Sequence, residues 1–317
     1  MRAVLLDAAT LGPEDLDFSH LQAAVSSLRS YPLTHSHEVV ERLAGAQIAL
    51  VNKVTLDAKC LSQLPQLKHI IVLATGVNNI DIEAAKKLGI SVQNCQAYGV
   101  DSVAQHCLML MLTLSTKMLN YRRAINNGDW SRSGQFCMLD FPVESLAGKT
   151  LGIVGYGDLG KGVANLARAF GMTILIAARQ GQHPANGRIP LAQLLPQVDI
   201  LSLHCPLTPD TTNLIDWAEF CALPNSALLI NCARGGVVNE VALIKALDEG
   251  EISGAGVDVL TQEPPPIDHP LLAVQRDNLI ITPHTAWASR QARQAILNQA
   301  TENVMSVISG LSIIRKL

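Results

Sequence analysis

The chain has 317 residues, which is enough for two domains of ordinary size. Hydrophobic residues make up 48% of it and charged residues 16%, a balance that favours buried cores over intrinsic disorder. A net charge of −3 and an aromatic content of 4% give no reason to expect a nucleic-acid partner, and no apolar stretch reaches the roughly 18 residues of a membrane span.

Cysteine usage indicates the cellular compartment. The seven cysteines are irregularly spaced and include no Cys-x-x-Cys pair, which predicts reduced thiols. The apolar run at the N-terminus stops at Asp7 and is too short for a signal peptide. We therefore expect a cytoplasmic protein. His35 and His37 have no further ligands in their loop, so no metal site is predicted.

The first hundred residues alternate between short apolar runs and helical patterns, such as Ile80–Leu88, which Gly89 closes. This alternation predicts a parallel sheet with helices on both faces. The predicted strands are Val4–Leu6, Ile48–Val51, Ile70–Leu73 and Ile90–Val92.

A long helix is predicted over Asp101–Leu119, followed by an irregular segment, Asn126–Lys149. A last helix is predicted over Ser289–Ser309. Between them a second βα series starts at Thr150, and its six strands match a complete dinucleotide-binding fold. These strands are Leu151–Val154, Thr173–Ile176, Ile200–His204, Ala227–Asn231, Gly256–Val259 and Leu279–Thr282.

A glycine motif follows the first strand of this second series. Gly155, Gly157 and Gly160 have the spacing G-x-G-x-x-G, and the helical pattern Lys161–Phe170 comes next. In this context the first glycine allows a tight turn, the second lets the backbone approach a pyrophosphate, and the third lets helix and strand pack closely. The pyrophosphate is expected at the helix N-terminus, which favours an anion.

The end of the next strand bears on the choice of cofactor. A dinucleotide fold usually has an acidic residue there, about 20 residues after the glycines, to hold the adenosine ribose. Here Ala178 takes that position and Arg179 follows. A guanidinium binds a 2′-phosphate that a carboxylate would repel, so we expect NADPH to be used at least as well as NADH. The alternative is that Arg179 is a solvated loop residue.

Two further strands end beside candidate catalytic residues. Arg234, in the segment Asn231–Gly236, has a planar fork that matches a carboxylate, although a structural salt bridge is the alternative. His284 is a candidate proton donor, because histidine as a residue type exchanges protons near neutral pH, although a lone histidine is more often structural. With a nicotinamide cofactor, these two groups predict the reduction of a 2-oxo acid.

Glu263 precedes three prolines and by itself is a solvated loop carboxylate. Its functional interpretation depends on His284, because a carboxylate bonded to the ring would fix the tautomer and stabilise the protonated form. Gly155, Arg234, Asp258 and His284 each lie at or just after the carboxyl end of a predicted strand, which is the edge where open α/β sheets bind ligands.

From about residue 3 to residue 310 the chain resembles the D-isomer-specific 2-hydroxyacid dehydrogenases. Within that family, the pairing of Asn52–Val54 with Trp287–Ser289 is most similar to the glycerate dehydrogenases, also called hydroxypyruvate reductases. The matching segments, in this order, are Ala74–Asp81, Ser102–His106, the Gly155 loop, Ser202–Leu207, Asn231–Gly236, Gly254–Glu263 and Pro283–Trp287.

The resemblance implies an α/β fold with two doubly wound parallel-sheet domains. Residues 1–98 with 289–317 would form a flavodoxin-like substrate domain, and residues 99–288 a Rossmann dinucleotide-binding domain. It implies that hydroxypyruvate or glyoxylate is reduced to the D-2-hydroxy acid by NADPH or NADH, with Arg234, Glu263 and His284 as the catalytic residues. It also implies a homodimer that assembles through the region 101–149.

The resemblance also implies the binding residues. For the substrate these are Lys53, Thr75, Gly76 and Val77, beside Arg234 and His284. For the cofactor they are Thr75, Gly155, Tyr156, Gly157, Asp158, Leu159, Gly160, His204, Cys205, Pro206, Thr211, Cys232, Ala233, Arg234, Asp258 and His284. Arg179 joins the cofactor-binding residues on chemical grounds, because it follows Ala178, where the chain departs from the family.

Other interpretations remain open. Gln105 stands where the family usually has Glu before His106, which we interpret as structural; Cys232 has no evident base and is interpreted as a packed residue. A nucleotide-sensing protein of the corepressor type, or a formate or phosphite dehydrogenase, would share this fold. Loss of NAD(P)H absorbance at 340 nm with hydroxypyruvate or glyoxylate distinguishes the dehydrogenase from both alternatives.

Overall fold

The computed structural model describes residues 1–12, 14–179, 186–273 and 276–310. The chain divides into two compact units. The first unit is Met1–Gly99 with the segment that begins at Ala288, and the second is Val100–Trp287. Residues 311–317, which the sequence analysis assigns to the first domain, lie outside the described residues.

The strands are β1 Arg2–Leu5, β2 Ser27–Ser30, β3 Ile48–Val51, β4 His69–Val72, β5 Ser91–Gln93, β6 Thr150–Val154, β7 Thr173–Ile176, β8 Ile200–Leu203, β9 Leu228–Asn231, β10 Gly254–Val257 and β11 Leu279–Ile281. The helices are α1 Ser19–Ala24, α2 Val39–Leu43, α3 Ala58–Leu61, α4 Ile82–Lys87, α5 Val100–Ser115, α6 Met118–Asn126, α7 Asp129–Ser133, α8 Asp158–Ala169, α9 Leu191–Leu194, α10 Trp217–Ala222, α11 Glu240–Glu249, α12 Pro270–Ala273 and α13 Arg290–Ser309. None of these helices has the length and apolar character that crossing a bilayer requires, as far as the described residues go.

The sheet of the first unit is parallel and has the order β2-β1-β3-β4-β5. This is the flavodoxin-like order, so the predicted fold class of this unit is confirmed. The sequence analysis missed β2. Its residues Ser27–Ser30 are mostly exposed, because an edge strand needs only the main-chain bonds to β1 and carries no apolar run.

The first unit also contains the last helix of the described chain. α13 packs on α1 and β4, and its N-cap Ser289 accepts a hydrogen bond from the amide of Ala292. Arg293 is buried and donates to both carboxylate oxygens of Asp15, at 2.6 and 2.8 Å. Segments at opposite ends of the described chain are therefore tied into one core.

The sheet of the second unit is parallel with the order β11-β10-β9-β8-β6-β7. Ile189 extends it by a single parallel bridge to Ala177, beyond β7. Ile189 thereby takes the place of the third strand in the dinucleotide-binding order 3-2-1-4-5-6, which confirms the predicted Rossmann class. The order reverses between β6 and β8, and ligands bind at such a reversal.

Alternate residues of these strands fill two separate cores. Leu201, Leu203 and Leu229 face one core, whereas Ile200 and Ile230 face the other. Because successive side chains of a strand point to opposite faces, helices must cover both faces of the sheet.

The long helix predicted over Asp101–Leu119 is wrong in one respect. α5 ends at Ser115, Lys117 adopts a left-handed conformation with φ +52°, and α6 begins at Met118. The carbonyl of Ser115 accepts instead from the amide of Glu144, at 3.0 Å. A contact distant in sequence therefore replaces the helical bond, which no local pattern predicts. The segment 126–149, predicted as irregular, contains the short helix α7.

Candidate active site

Five residues of the second unit lie within three positions of the carboxyl ends of parallel strands. Gly155 follows β6, His204 follows β8, Arg234 lies three residues beyond β9, Asp258 follows β10, and His284 lies three residues beyond β11. Since the carboxyl ends of parallel strands meet at one edge, these residues share one edge of the sheet. That edge is the candidate active site.

The glycine loop is shaped for close backbone contact. Gly155 has φ +93°, and a Cβ atom there would lie 2.6 Å from the backbone of His204 and Cys205. A Cβ on Gly160 would lie 2.2 Å from the carbonyl oxygen of Gly155, whereas one on Gly157 would meet nothing within 4 Å. The first and third glycines are thus required for packing, and the second leaves open space at the start of α8. This geometry fits the pyrophosphate of a dinucleotide.

The other loop residues surround that space. Asp158 is exposed and is the first residue of α8, while Leu159 packs on the core beside the helix. The Tyr156 hydroxyl lies 3.4 Å from a guanidinium nitrogen of Arg168. Helix α8 begins at Asp158, three residues before its predicted start at Lys161, because Gly160 lies inside its first turn.

The segment after β8 begins with the half-buried His204 and the buried Cys205, and Pro206 beyond them is exposed. Nε2 of His204 lies 2.9 Å from the hydroxyl of Ser202, and Nδ1 is buried without a partner among the described residues. Burial lowers the pKa of His204 to about 4 and raises the pKa of the Cys205 thiol. The hydroxyl of Thr211 donates to the carbonyl of Pro206 at 2.6 Å, which closes this loop.

Ala178 and Arg179 lie at the end of β7, among the described residues. The amide of Ala178 donates to the carbonyl of Ile189 at 2.7 Å, so the third-strand bridge holds this position. Arg179 is exposed, and its guanidinium makes no salt bridge within the described parts of the chain. No acidic side chain precedes it at the strand end, as the sequence shows.

The loop after β9 presents Arg234. Asn231 ties the loop together, since its side chain accepts from the amide of Ala233 and donates to the carbonyl of Arg234. The guanidinium is exposed and donates to the carbonyl of Ala233 at 2.7 Å. The neighbouring Cys232 is buried; its contact with Cys107 and its burial raise the pKa of the thiol far above the usual range, which makes it a poor nucleophile.

Gly235 packs directly on another loop of the site. A Cβ on Gly235 would lie 1.9 Å from the carbonyl oxygen of Leu260 and 2.6 Å from the amide nitrogen of Thr261. Only glycine allows this approach. The loop that carries Arg234 therefore rests on the peptide between Leu260 and Thr261.

Glu263 and His284 are in direct contact. Nδ1 of His284 lies 2.6 Å from Oε2 of Glu263, and each side chain is 34% exposed. The other carboxylate oxygen, Oε1, accepts from the amide of Leu260 at 2.9 Å. The carboxylate is thus fixed on both sides, and the ring presents Nε2 away from it.

Asp258 organises the loop that carries His284. Its carboxylate is buried and accepts from the hydroxyl of Thr282 at 2.5 Å and from the amides of Thr285 and Ala286 at 2.9 and 2.8 Å. Nε2 of His106 lies 2.9 Å from the same Thr282 hydroxyl. These internal bonds of Asp258 shape the loop after β11, and its contact with the cofactor stays a prediction.

The remaining predicted residues lie in the first unit. Lys53 follows β3, and the buried carboxylate of Asp7 accepts from the amides of Asn52, Lys53 and Val54. Thr75, Gly76 and Val77 follow β4, and the Thr75 hydroxyl donates to the carbonyl of Cys95 at 3.0 Å. The role of Asp7, which lies two residues after β1, is not predicted from the sequence, because this position carries no motif.

Comparisons with known proteins show the family to which the chain belongs. Residues 108–286 match the family model described as "D-isomer specific 2-hydroxyacid dehydrogenase, NAD binding domain". The chain is 46% identical over 273 residues to a glycerate dehydrogenase of Methylorubrum extorquens, with 86% of each chain covered. It is 34% identical over 317 residues to a hydroxypyruvate reductase of Blautia hydrogenotrophica, with 98% of each covered. It is also similar to the crystal structure of the TT0316 protein of Thermus thermophilus, with a TM-score of 0.86, 31% identity and both chains fully covered.

The chain therefore belongs to the D-isomer specific 2-hydroxyacid dehydrogenase family, as the resemblance in its sequence predicts. It is an oxidoreductase of that family, and the matched residues lie in the second unit, which is its nicotinamide-dinucleotide-binding domain.

Proposed function

We propose that the chain reduces hydroxypyruvate or glyoxylate to the D-2-hydroxy acid. The observation that carries this proposal is the 2.6 Å hydrogen bond between Nδ1 of His284 and Oε2 of Glu263, at the strand edge that also presents Arg234. The names of the similar proteins, glycerate dehydrogenase and hydroxypyruvate reductase, support this substrate class.

The proposed chemistry assigns one task to each side chain. The nicotinamide, when bound, supplies the hydride that reaches C2 of the 2-oxo acid. Arg234 binds the substrate carboxylate through its planar guanidinium and polarises the neighbouring carbonyl. His284 donates its Nε2 proton to the carbonyl oxygen, because Nδ1 is engaged by Glu263. Glu263 holds the ring in place and stabilises its protonated form.

Cofactor binding falls to the glycine loop and the segment after β8. Gly155 and Gly160 bring the backbone close, and Gly157 leaves room for the pyrophosphate at the start of α8. We propose that Arg179 binds the 2′-phosphate of NADPH, which the missing acid at Ala178 does not oppose. For Lys53, Thr75, Gly76 and Val77 we retain the predicted role in binding the substrate carboxylate.

The test of the reaction is a turnover assay. Purified protein should consume NAD(P)H with hydroxypyruvate or glyoxylate, and His284→Ala should lower kcat by roughly 10²–10⁴, the usual contribution of a general acid. The exposed His37→Ala is the matched control and should keep wild-type turnover. Tight cofactor binding without turnover would favour a sensor, and oxidation of formate or phosphite instead would favour that dehydrogenase class.

We also propose a homodimer that assembles through the region 118–143. This region exposes large apolar side chains, which monomeric surfaces rarely carry together. They are Met118, Ile125, Trp130, Phe136, Leu139 and Val143.

Sedimentation should show a dimer for the wild type at micromolar concentration. The double variant Phe136→Ser, Leu139→Ser should shift it to the monomer, because these side chains are 96% and 80% exposed in the single chain. Ile267→Ser, at a fully exposed position outside the region, should leave the dimer intact. A monomeric wild type would contradict the proposal.

A further inference from the structure

Glu240 accepts a hydrogen bond from the main chain of another loop, and no sequence motif predicts this contact. It is the first residue of α11, and its Oε1 accepts from the amide of Thr261 at 2.7 Å. Its side chain is only 20% exposed. A helix that carries none of the proposed catalytic residues therefore reaches the loop of Glu263.

His269 contacts the second carboxylate oxygen of Glu240. Its Nε2 lies 3.2 Å from Oε2 of Glu240, and its side chain is 8% exposed. Its Nδ1 accepts from the amide of Leu271 at 3.3 Å, so the proton of the neutral ring sits on Nε2 and is donated to Glu240. Both oxygens of the Glu240 carboxylate are thereby engaged.

The peptide between Leu260 and Thr261 is the point that Glu240 holds. Its carbonyl side contacts Gly235, next to Arg234. The amide of Leu260 donates to Oε1 of Glu263, whose other oxygen meets His284. A shift of this peptide would therefore displace the loop of Arg234 and the carboxylate behind His284 together.

Glu240 is not needed to cap its own helix. Asn239 is the N-cap of α11 and accepts from the amides of Val241 and Ala242. An acidic residue in the first turn also favours the helix dipole, but that effect requires only the charge. The bond to Thr261 requires the length of the Glu side chain, so the two contributions are separable by substitution.

We propose that Glu240 and His269 are positioning residues that fix the Leu260–Thr261 peptide and thereby the geometry of Arg234, Glu263 and His284. This inference rests on the proposed function, since it assumes that these three side chains carry the reaction. Neither residue touches the substrate or the reacting atoms; both act through the peptide.

The test uses substitutions of Glu240 that separate the effect of its charge from the effect of its side-chain length. Glu240→Asp keeps the charge at the start of α11 but withdraws the carboxylate from Thr261. It should lower kcat by about 10- to 100-fold, the effect of a small displacement of catalytic groups, with little change in KM. It should also move the alkaline limit of reduction to lower pH, because the His284 ring loses a well-placed carboxylate. Glu240→Gln retains an acceptor for the amide of Thr261, so this variant should keep most of the wild-type kcat and the wild-type pH limit.

Two reference variants make the result interpretable. Glu249→Asp carries the same change at the exposed end of α11 and should behave as wild type. Glu263→Gln should move the alkaline limit to lower pH. If it does so while Glu240→Asp keeps the wild-type rate and limit, the positioning proposal is overturned and the proposed function stands. If Glu263→Gln itself leaves the limit unmoved, Glu263 does not act on His284 and the positioning proposal is overturned, whereas the proposed function is decided separately by turnover with the 2-oxo acids.

A second route covers the case in which Glu240→Asp does not fold. His269→Phe removes the hydrogen bond that holds Glu240 and leaves the Glu240 side chain itself in place, so the bond between Glu240 and Thr261 is weakened but not removed. A shift of the alkaline limit in the same direction, smaller than that of Glu263→Gln, supports the proposal. An unmoved limit in folded His269→Phe overturns it.

Discussion

His284 has a backbone conformation that few residues other than glycine adopt, with φ +53°. Such a conformation costs of order 1–3 kcal/mol and persists only where the surroundings enforce it. Here the amide of His284 donates to the carbonyl of Asp258, and the indole of Trp287 donates to the carbonyl of His284. The proposed proton donor is therefore held in place by its neighbours before any substrate binds.

At the same scale, cofactor preference depends on Ala178 and Arg179. Arg179→Ala should lower kcat/KM for NADPH by about 10- to 100-fold, the contribution of a charged hydrogen bond, and affect NADH less. Ala178→Asp should act in the same direction by repelling the 2′-phosphate. Steady-state kinetics with both cofactors measure this, with the exposed Arg29→Ala as control. A strong preference of the wild type for NADH would show that Arg179 is a solvated loop residue.

At the scale of elements, two loops of the site depend on each other. The loop after β9 carries Arg234, the loop after β10 leads to Glu263, and they meet where Gly235 packs on the peptide between Leu260 and Thr261. We therefore expect a displacement of one loop to displace the other. The relative positions of Arg234 and Glu263 therefore depend on the contact between the two loops, and not only on the strands from which the loops start.

Gly235→Ala tests that contact. The added Cβ would overlap the carbonyl of Leu260, so the loops must separate. We expect a loss of about 100-fold in kcat/KM and about 1–3 kcal/mol in the free energy of unfolding. Gly250→Ala, at the end of α11, meets open space at a φ of +73° and should cost about 1 kcal/mol of stability with unchanged kinetics. Equal kinetics for the two variants would contradict the coupling of the loops.

At the scale of the whole molecule, the second unit carries a half-buried histidine, His204, that links its stability to pH. Burial lowers the pKa of His204 to about 4, against roughly 6.5 in an unfolded chain. Between these values the unfolded state binds a proton that the folded state does not. The free energy of unfolding therefore falls as the pH drops from neutral towards 4.

Tryptophan fluorescence isolates this effect, since Trp130, Trp217 and Trp287 all lie in the second unit. Denaturant unfolding should cost about 2 kcal/mol less at pH 5 than at pH 7 because of this residue. His204→Gln should reduce that difference, whereas the exposed His37→Gln should not. The same pH difference in His204→Gln as in the wild type would exclude His204 as its source.

The sequence predicts most of the fold because the buried strands are continuous apolar runs, such as Ile48–Val51. It does not predict β2, which is polar and exposed, nor the break at Lys117, which depends on a bond to Glu144. For the candidate site, the pattern after each strand identifies Arg234 and His284. The contact between Glu240 and Thr261 joins residues on separate elements, so no spacing reveals it.

The first unit includes α13, so its fold draws on segments made at different times. During synthesis, β5 is complete about 200 residues before α13, which at roughly 5–20 residues per second is a delay of about 10–40 s. Throughout that delay the surfaces of α1 and β4 that α13 covers in the folded unit are exposed, and Arg293 is not yet present to bind Asp15. The second unit, continuous in the chain, is able to fold in the meantime. We therefore expect the unit that begins at the N-terminus to finish folding last.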